Sequence, residues 1–324
     1  MNSAPLTVLL PVYNGEKYVA DAVESILNQS YSEFELLIID DGSTDDSYKI
    51  ISAYSDPRIR ILKNEENRGL IYSLNRGIKE AKGKFVARLD ADDYALPVRL
   101  ELQMSFMNEN PEVALCSTGF IVDNGTSKRE VTYKSRHNEI KFDFLNQCHI
   151  CHGSAVWNND LLKKNNLFFN PEFSHAEDFD LFARIMEMFP VHNLPEKLSV
   201  IRKHSENVSR VFSETQLINS LVVRTRMFKN LGMEVTKDEL MRFEKLYYQD
   251  YESLKREADQ IQGFLEKMNE ANHRTNWLDS KFMFRKLSDH WFHYCYNTKQ
   301  KKQYQKSYLK GTSFKNRVKM TLKG

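Results

Sequence analysis

The stretch KFVARLDADDYALP, residues 84–97, joins an apolar segment directly to three carboxylates. The segment Lys84–Leu89 combines aromatic and aliphatic residues over the length of a short strand, which predicts a strand buried in a sheet. Asp90, Asp92 and Asp93 follow without a break, and carboxylates this close together repel one another. A chain that keeps them in one place needs a positive charge there, so we expect a bound cation.

Three more apolar segments of strand length lie upstream, and amphipathic helical patterns separate them. The predicted strands are Leu6–Val12, Phe34–Ile39 and Ile59–Leu62, and the predicted helices are Lys17–Gln29, about Asp45–Tyr54 and about Leu70–Ala81. Ser43 or Thr44 is expected to cap the second helix. Strands that alternate with helices predict an α/β fold with a doubly wound, mostly parallel sheet flanked by helices.

The rest of the chain is less regular and ends in helices. Further strands are expected at Val113–Val122, Ala155–Trp157 and Leu198–Ile201, and an amphipathic helix at Glu177–Met188. Beyond about residue 213 the pattern is helical throughout, and Thr236 and Glu239 have the spacing of a capping box. We therefore predict an α/β domain of residues 1–212 and a helical extension of residues 213–324.

Composition and charge exclude several classes of protein. Of 324 residues, 41% are hydrophobic, enough for a large core, and the net charge of +2 gives no reason to expect a nucleic-acid partner. The apolar run at the N-terminus is too short for a signal peptide, and no run is long enough to span a membrane. We expect a cytoplasmic protein with reduced cysteines.

Basic side chains dominate the C-terminus, since no acidic residue follows Asp289. The basic residues there are Lys299, Lys301, Lys302, Lys306, Lys310, Lys315, Arg317, Lys319 and Lys323. Interleaved tyrosines make this tail a candidate for peripheral contact with the inner face of a membrane. A solvated surface is the plainer alternative, RNA binding is a weaker one, and the helices from 214 to 290 are candidates for a homodimer interface.

In a doubly wound sheet, ligands bind at the carboxyl ends of the strands. Tyr13 follows the first strand, Asp41 the second and Asp90 the fourth, so an aromatic ring and two acidic clusters meet at one edge. Carboxylates suit Mg²⁺ or Mn²⁺ that shares its coordination with substrate phosphates. No glycine-rich phosphate loop is present, so a metal is expected to hold the phosphates. Tyr13 is positioned to stack on a base, and Asp41 to accept the imide N–H of uracil or thymine.

Three stretches resemble glycosyltransferase family 2, which has the GT-A fold. They are PVYNGEKYVADAVESILNQSYSEFELLIIDDGSTDDS, NRGLIYSLNRGIKEAKGKFVARLDADD and AEDFDLFAR. Their order and spacing extend the resemblance over roughly residues 5–205. It implies inverting transfer of a sugar from a nucleoside-diphosphate donor by a domain of the GT-A type.

The resemblance also implies roles for single residues. It assigns nucleotide-sugar contacts to Pro11, Val12, Tyr13, Asp41, Arg68, Asp90, Ala91, Asp92 and His152. Asp90 and Asp92 are its D-x-D pair, with Asp92 on Mn²⁺ or Mg²⁺ and Asp90 nearer the ribose or sugar; Asp93 is an alternative metal contact. His204 is a candidate to complete the metal shell, although a lone histidine is as often structural, and Arg68 is equally a surface arginine.

The family's general base corresponds to Asp178, which follows Glu177. Chemistry supports a base independently, because an inverting displacement needs one carboxylate to take the proton of the attacking hydroxyl. The metal stabilises the leaving diphosphate, so no second protein acid is required. The alternative for this acidic pair is simple capping of a helix.

The stretch CHICH, Cys148–His152, matches the haem-attachment pattern and half a zinc site. Haem attachment needs export, and a zinc site needs two further ligands, whereas Cys116 and Cys295 are isolated. We interpret the cysteines as core or loop residues.

The sequence thus predicts a metal-dependent inverting glycosyltransferase. Its donor is a UDP-sugar or another nucleoside-diphosphate sugar, its acceptor a hydroxyl of a glycan or lipid-linked saccharide, and its role surface polysaccharide synthesis. A nucleotidyltransferase is the rival enzyme, although it typically carries a glycine-rich loop. An inactive nucleotide-sugar-binding module is the rival from another class, against which Asp92 and Asp178 argue.

Overall fold

The computed structural model of the chain describes residues 4–203 and 213–310. Within these residues, nine strands form one sheet in the order β3-β2-β1-β4-β8-β6-β9-β5, with β7 beside β6. The strands are β1 (Leu6–Val12), β2 (Phe34–Asp40), β3 (Ile59–Lys63), β4 (Phe85–Arg88), β5 (Tyr94–Ala95), β6 (Leu115–Asp123), β7 (Lys128–Val131), β8 (Val156–Asn158) and β9 (Val191–Arg202).

The sheet is parallel at one side and mixed at the other. Strands β3, β2, β1 and β4 are parallel neighbours, whereas β8 pairs antiparallel with both β4 and β6. The four predicted strands of the first third are confirmed, and so is the α/β class. The last strand was predicted too short: β9 begins at Val191 rather than Leu198 and pairs parallel with β6 across an irregularity around Gly119.

Helices cover the sheet and make up the C-terminal part of the described chain. The helices are α1 (Val19–Leu27), α2 (Ser47–Ser52), α3 (Leu70–Glu80), α4 (Arg99–Glu109), α5 (His137–Asp143), α6 (Asn159–Lys164), α7 (Glu177–Met188), α8 (Ser213–Asn230), α9 (Lys237–Tyr247), α10 (Ala258–Thr275), α11 (Ser280–Asn297) and α12 (Lys301–Lys306). The expected cap of the second helix is wrong, because α2 begins at Ser47 and neither Ser43 nor Thr44 caps it.

The apolar periodicity of the helices explains their packing on the sheet. One face of α1 is buried in the same core as β1, β2 and β4, through Val19, Ala22, Val23 and Ile26. Helix α3 approaches β1 so closely that a Cβ at Gly77 would lie 2.4 Å from the methyl groups of Leu9. A larger side chain there would push the helix off the strand.

The described residues fall into two compact units. The first contains residues 4–141, 148–203 and 213–221, and the second contains residues 142–147 and 222–310. This division passes through α8, between Leu221 and Val222. The boundary predicted after residue 212 stays a prediction.

The second unit is helical around an aromatic and aliphatic core. The buried side chains include Met227, Phe228, Phe243, Leu265, Met268, Leu287 and Trp291. The segment Phe142–Gln147 joins this unit through the buried Arg224, which donates hydrogen bonds to the carbonyl of Leu145 and to Oδ1 of Asn146. The predicted capping box is confirmed, since Thr236 and Glu239 exchange hydrogen bonds at the start of α9.

Two predictions fall beyond the described residues. The basic tail from residue 311 onward and the candidate ligand His204 lie outside them, so both stay predictions. Among the residues that are described, no helix has the length and apolar content needed to cross a membrane.

Candidate active site

Two loops at the carboxyl edge of the sheet are joined by reciprocal hydrogen bonds. The backbone N–H of Asn14 donates to Oγ of Ser43 at 3.1 Å, and the N–H of Thr44 donates to Oδ1 of Asn14 at 2.9 Å. The N–H of Gly15 donates to Oγ of Ser47 at 2.7 Å. Ser43 therefore fixes the loop after β1 instead of capping α2, and the edge expected to bind the nucleotide is held by both loops.

The three residues predicted at the end of β1 differ in exposure. Tyr13 is 48% exposed, so its ring is available to a ligand. Pro11 and Val12 are buried within the strand, and Val12 belongs to the hydrophobic core. Neither residue offers an exposed side chain to a nucleoside, and their predicted role stays a prediction.

Asp41 is almost completely buried, with 3% exposure. Its Oδ1 accepts hydrogen bonds from the Asn64 amide at 2.5 Å and from the N–H of Arg68 at 3.1 Å, and its Oδ2 accepts the N–H of Gly69 at 2.8 Å. Arg76 donates to Oδ1 of Asn64 at 2.5 Å and fixes that amide. Asp41 thus anchors the loop after β3, and a ligand N–H could use only the remaining acceptor position of Oδ2.

Arg68 is half-exposed on that loop. Its guanidinium lies 4.8 Å from the centre of the Tyr72 ring and 3.8 Å from Glu66. Both contacts are local, so the predicted contact with a phosphate stays a prediction.

The acidic loop, residues 90–93, follows β4 and accepts hydrogen bonds from two arginines, Arg88 and Arg202. Arg88, at the end of β4, is 2% exposed and donates to both carboxylate oxygens of Asp90 at 2.6 and 2.5 Å. Asp93 is 4% exposed and accepts the N–H of Arg202, at the end of β9, at 2.9 Å. Ala91 packs beside Gly15, where a Cβ would lie 3.6 Å from the Ala91 methyl. The acidic loop therefore lies beside the loop after β1, at the edge of the sheet that is expected to bind the nucleotide.

A short 3-10 turn, His152–Ser154, connects the acidic loop with the predicted base. A Cβ at Gly153 would lie 2.9 Å from Oδ2 of Asp90 and 3.4 Å from Oδ2 of Asp93, so only glycine leaves these carboxylates undisturbed. Nδ1 of His152 lies 3.9 Å from Oδ2 of Asp178. One turn thus touches both groups of carboxylates.

His152 is held in an apolar surrounding. Its ring packs against Phe169 and Phe182, and its buried Nε2 has no hydrogen-bond partner among the described residues. Burial, and then the charge of Arg88, hold the pKa of His152 well below its ordinary value. His152 is therefore neutral at physiological pH.

Glu177 and Asp178 form the first turn of α7. Burial, followed by the neighbouring charge of Asp178, raises the pKa of Glu177 to about 7. Burial also raises the pKa of Asp178, and a hydrogen bond from the N–H of Phe179 to its Oδ1 at 2.7 Å opposes that shift. A carboxylate with a raised pKa is a better proton acceptor near neutral pH. These raised pKa values suit a base at this position, and the predicted role of Asp178 stays a prediction.

The acidic loop offers carboxylates, the type of ligand that a divalent cation binds, without a complete set of ligands among the described residues. Burial and then the charges of Asp90 and Asp92 raise the pKa of Asp93 well above its ordinary value, so this carboxyl resists ionisation. Oxygen ligands suit Mg²⁺ and Mn²⁺. Within the described part of the chain, no group of three or more His, Cys, Asp or Glu is arranged to hold a metal. The predicted set of Asp92, Asp93 and His204 stays a prediction.

Of the two cysteines of CHICH, Cys151 is buried and Cys148 is partly buried. Cys151 is 5% exposed, and burial raises its pKa to about 11. Burial also raises the pKa of Cys148 well above its ordinary value. Thiols of this kind are poor nucleophiles and poor metal ligands at neutral pH.

Sequence reasoning missed three residues of this site: Arg88, Gly153 and Arg202. For Arg88 a signal was present, because a lone arginine in an apolar strand two residues before Asp90 lies on the same side of an extended chain. For Gly153 and Arg202 the partners are distant in sequence, and no local pattern indicates them.

The comparison with known proteins identifies the family. Residues 7–164 match the family model for Glycosyl transferase family 2. A relative from Escherichia coli, UDP-Glc:alpha-D-GlcNAc-diphosphoundecaprenol beta-1,3-glucosyltransferase WfgD, is 31% identical over 189 residues, which are 58% of this chain and 72% of the relative. The chain belongs to glycosyltransferase family 2. The family predicted from the sequence is thereby confirmed, and the rival nucleotidyltransferase is not supported.

Solved structures share the fold of this family 2 glycosyltransferase. TarS 1–349 of S. aureus in complex with UDP-GlcNAc has a TM-score of 0.57 and 18% identity, over 91% of this chain and 92% of that one. Mannosyltransferase PcManGT from Pyrobaculum calidifontis, in complex with GDP-Man and Mn²⁺, has a TM-score of 0.54 and 17% identity, over 98% of this chain and 86% of that one. At these identities the likeness establishes the fold, and the predicted GT-A fold is confirmed.

Proposed function

We propose that this glycosyltransferase moves a sugar from a UDP-sugar to a hydroxyl of a glycan or lipid-linked saccharide, with inversion at the anomeric carbon and Asp178 as the base. One observation carries the proposal. In the turn His152–Ser154, Nδ1 of His152 lies 3.9 Å from Oδ2 of Asp178. The next residue, Gly153, packs against the carboxylates of Asp90 and Asp93. This proximity supports a single site that contains both the proposed base and the donor-side carboxylates.

The geometry of Asp178 suits proton abstraction. Its Oδ1 is engaged by the N–H of Phe179, which fixes the carboxylate and leaves Oδ2 for the hydroxyl of the acceptor. Asp180, two residues on, is fully buried and paired with Arg184 at 2.7 Å, so it is no competitor. A bound Mn²⁺ or Mg²⁺ would stabilise the leaving diphosphate as a Lewis acid, with Asp92, Asp93 and His204 as its candidate ligands.

The donor and acceptor are supported by chemistry and by relatives. Asp41 offers an acceptor for the imide N–H of uracil, and Tyr13 offers an exposed ring at the same edge. The name of WfgD specifies UDP-Glc and a diphosphoundecaprenol-linked acceptor, and TarS binds UDP-GlcNAc. PcManGT binds GDP-Man, so a guanine donor is the outcome that would most directly oppose the uracil argument. We place the reaction in surface polysaccharide synthesis.

The test is a comparison of Asp178→Asn with Asp180→Asn in the full-length chain. Release of UDP from a panel of UDP-sugars, with and without saccharide acceptors, should fall by roughly 10²- to 10⁴-fold in the first variant, because its amide takes no proton. The second variant removes a carboxylate from the same helix and should keep its turnover. Binding of UDP with Mn²⁺, followed by thermal shift, should persist in both.

Three outcomes would contradict the proposal. Unchanged turnover in Asp178→Asn would reject the base. A thermal shift with GDP or CMP, but not with UDP, would reject the donor. Binding of UDP-sugars without turnover in the wild type would favour an inactive binding module.

A further inference from the structure

Two arginines are buried side by side at the end of β4, and their partners differ. Arg88 pairs through both terminal nitrogens with the carboxylate of Asp90. Arg99 is 0% exposed and donates to Oε1 of Gln103 and to the carbonyl of Arg88. Of these two buried arginines, only Arg88 pairs with a carboxylate. Substituting Arg99 therefore shows what the loss of a buried arginine costs when no carboxylate is involved.

The charge of Arg88 reaches beyond Asp90. Burial acts to lower the pKa of Arg88, but the charges of Asp90, Glu177 and Asp178 outweigh it and the pKa is raised. Burial lowers the pKa of Arg99 to about 10, because no carboxylate compensates it to the same degree. Arg88 is thus a buried cation close to the carboxylates of both α7 and the acidic loop.

The backbone fixes Arg88 between these elements. Its N–H donates to the carbonyl of Ala155 at 2.8 Å, directly after the turn that carries His152 and Gly153. A Cβ at Gly153 would lie 3.9 Å from Nη1 of Arg88 and 2.9 Å from Oδ2 of Asp90. The turn, the arginine and the carboxylate are packed together, with no room for a side chain between them.

We propose that Arg88 is the positioning residue that holds the donor-side carboxylate Asp90 and the base Asp178 in one arrangement. Its planar fork fixes the orientation of Asp90, and its charge offsets the repulsion among Asp90, Glu177 and Asp178. This inference rests on the proposed function, because Asp178 must be the base. The two effects of Arg88 can be tested separately. A lysine at this position keeps the positive charge but cannot form the two parallel hydrogen bonds that a guanidinium donates to a carboxylate.

The experiment compares Arg88→Met, Arg88→Lys and Arg99→Met in the full-length chain. Arg88→Met should lower kcat by about 100-fold and raise the KM for the UDP-sugar by about tenfold, because both the base and the donor carboxylate lose their support. Arg88→Lys should recover most of kcat while the donor KM stays raised. Arg99→Met removes an equally buried arginine and should lower Tm while the donor KM stays within about twofold of the wild type.

Equal changes of kcat and donor KM in Arg88→Met and Arg99→Met would overturn the inference, since both residues would then be merely structural. Failure of Arg88→Lys to separate kcat from donor KM would also overturn it. If Arg88→Met does not fold, Arg88→Met/Asp90→Asn removes both charged partners together, which proteins tolerate better than removing one.

Binding separates this inference from the proposed function. Arg88→Met/Asp90→Asn should bind UDP with Mn²⁺ no more weakly by calorimetry than Asp90→Asn alone, because Arg88 acts through Asp90, and a further tenfold loss would overturn this role of Arg88. Absence of turnover in the wild type with every donor would reject the proposed function. In that case the affinities of the variants for UDP with Mn²⁺ still decide whether Arg88 supports Asp90.

Discussion

Glu177 and Asp178 are adjacent acids in unequal surroundings. Glu177 is 8% exposed, and its pKa of about 7 means that it carries its proton part of the time near neutral pH. Asp178 accepts a backbone N–H, which favours its charged form. Neighbouring acids with different protonation are typical of sites that move protons. As the pH falls, we expect Glu177 to be protonated first while Asp178 stays ionised.

Replacing Glu177 with Gln should change how stability depends on pH. The folded chain holds this proton more tightly than the unfolded chain, so the stabilisation is complete below pH 4.5 and is lost as the pH rises through about 7. Relative to the wild type, Glu177→Gln should gain on the order of 3 kcal/mol between these limits. Urea unfolding at pH 5, 6, 7 and 8 measures the difference. The exposed Glu172→Gln is the control, and parallel curves for wild type and Glu177→Gln would contradict the assignment.

The residues of the site were only partly predictable from the sequence. Asp90 and Asp178 could be proposed from the sequence because their motifs are local and stand at the end of a strand and the start of a helix, and their roles stay predictions. Arg88 could have been proposed as well, because it lies two residues before Asp90 and therefore on the same side of an extended chain. The anchoring of Asp41 by Asn64, in contrast, was invisible, because this hydrogen bond spans 23 positions.

At the scale of elements, the loops after β1 and β2 stabilise each other. Asn14 adopts a left-handed conformation with φ of 48°, and its side chain accepts the N–H of Thr44. The N–H of Glu16 donates to Asp45 at 3.0 Å, and Glu16 accepts the N–H of Asp46 in return. The two loops therefore hold each other in place through hydrogen bonds of their own.

Asn14→Ala should destabilise the protein by about 1–2 kcal/mol and weaken UDP binding, because it removes a hydrogen bond and strains the backbone. Asn166→Ala is a matched control: Asn166 has φ of 53° and is exposed, so it reports the backbone cost alone. Thermal unfolding and calorimetry with UDP and Mn²⁺ measure both effects. Equal losses of affinity in the two variants would contradict a role for the joined loops.

Strands were predicted well where they are buried on both faces. β1 and β2 are mostly apolar, and their predicted starts agree with the structure. β9 was predicted at less than half its length, because its first part contains Pro195, Glu196 and Lys197 and pairs across an irregular register. This segment has no strand pattern in its own sequence and becomes a strand because it pairs with β6.

At the scale of the whole molecule, the net charge is only +2, yet several carboxylates are concentrated at the candidate active site. Three of them, Asp93, Glu177 and Asp178, have raised pKa values, chiefly through burial. A fold that keeps such groups together in the absence of ligand gives up stability there. It should regain stability when a cation and a diphosphate bind.

Mn²⁺ and UDP added together should therefore raise Tm more than either alone. At 100 times the Kd the gain is about 2.7 kcal/mol. Asp93→Asn should melt no lower than the wild type without ligand, since its Oδ1 still accepts the N–H of Arg202 and a buried charge is gone. Its response to Mn²⁺ should be reduced. An undiminished response would leave Asp92 as the metal contact and exclude Asp93.

The segment Phe142–Gln147 limits how this chain can recombine with its relatives. These six residues belong to the second unit, although the chain on either side of them belongs to the first. A single genetic crossover near residue 222 would unite helices from one parent with a Leu145 and an Asn146 from the other, and Arg224 would meet foreign partners. A working chimera needs two further crossovers, so that residues 142–147 travel with the helices they pack against.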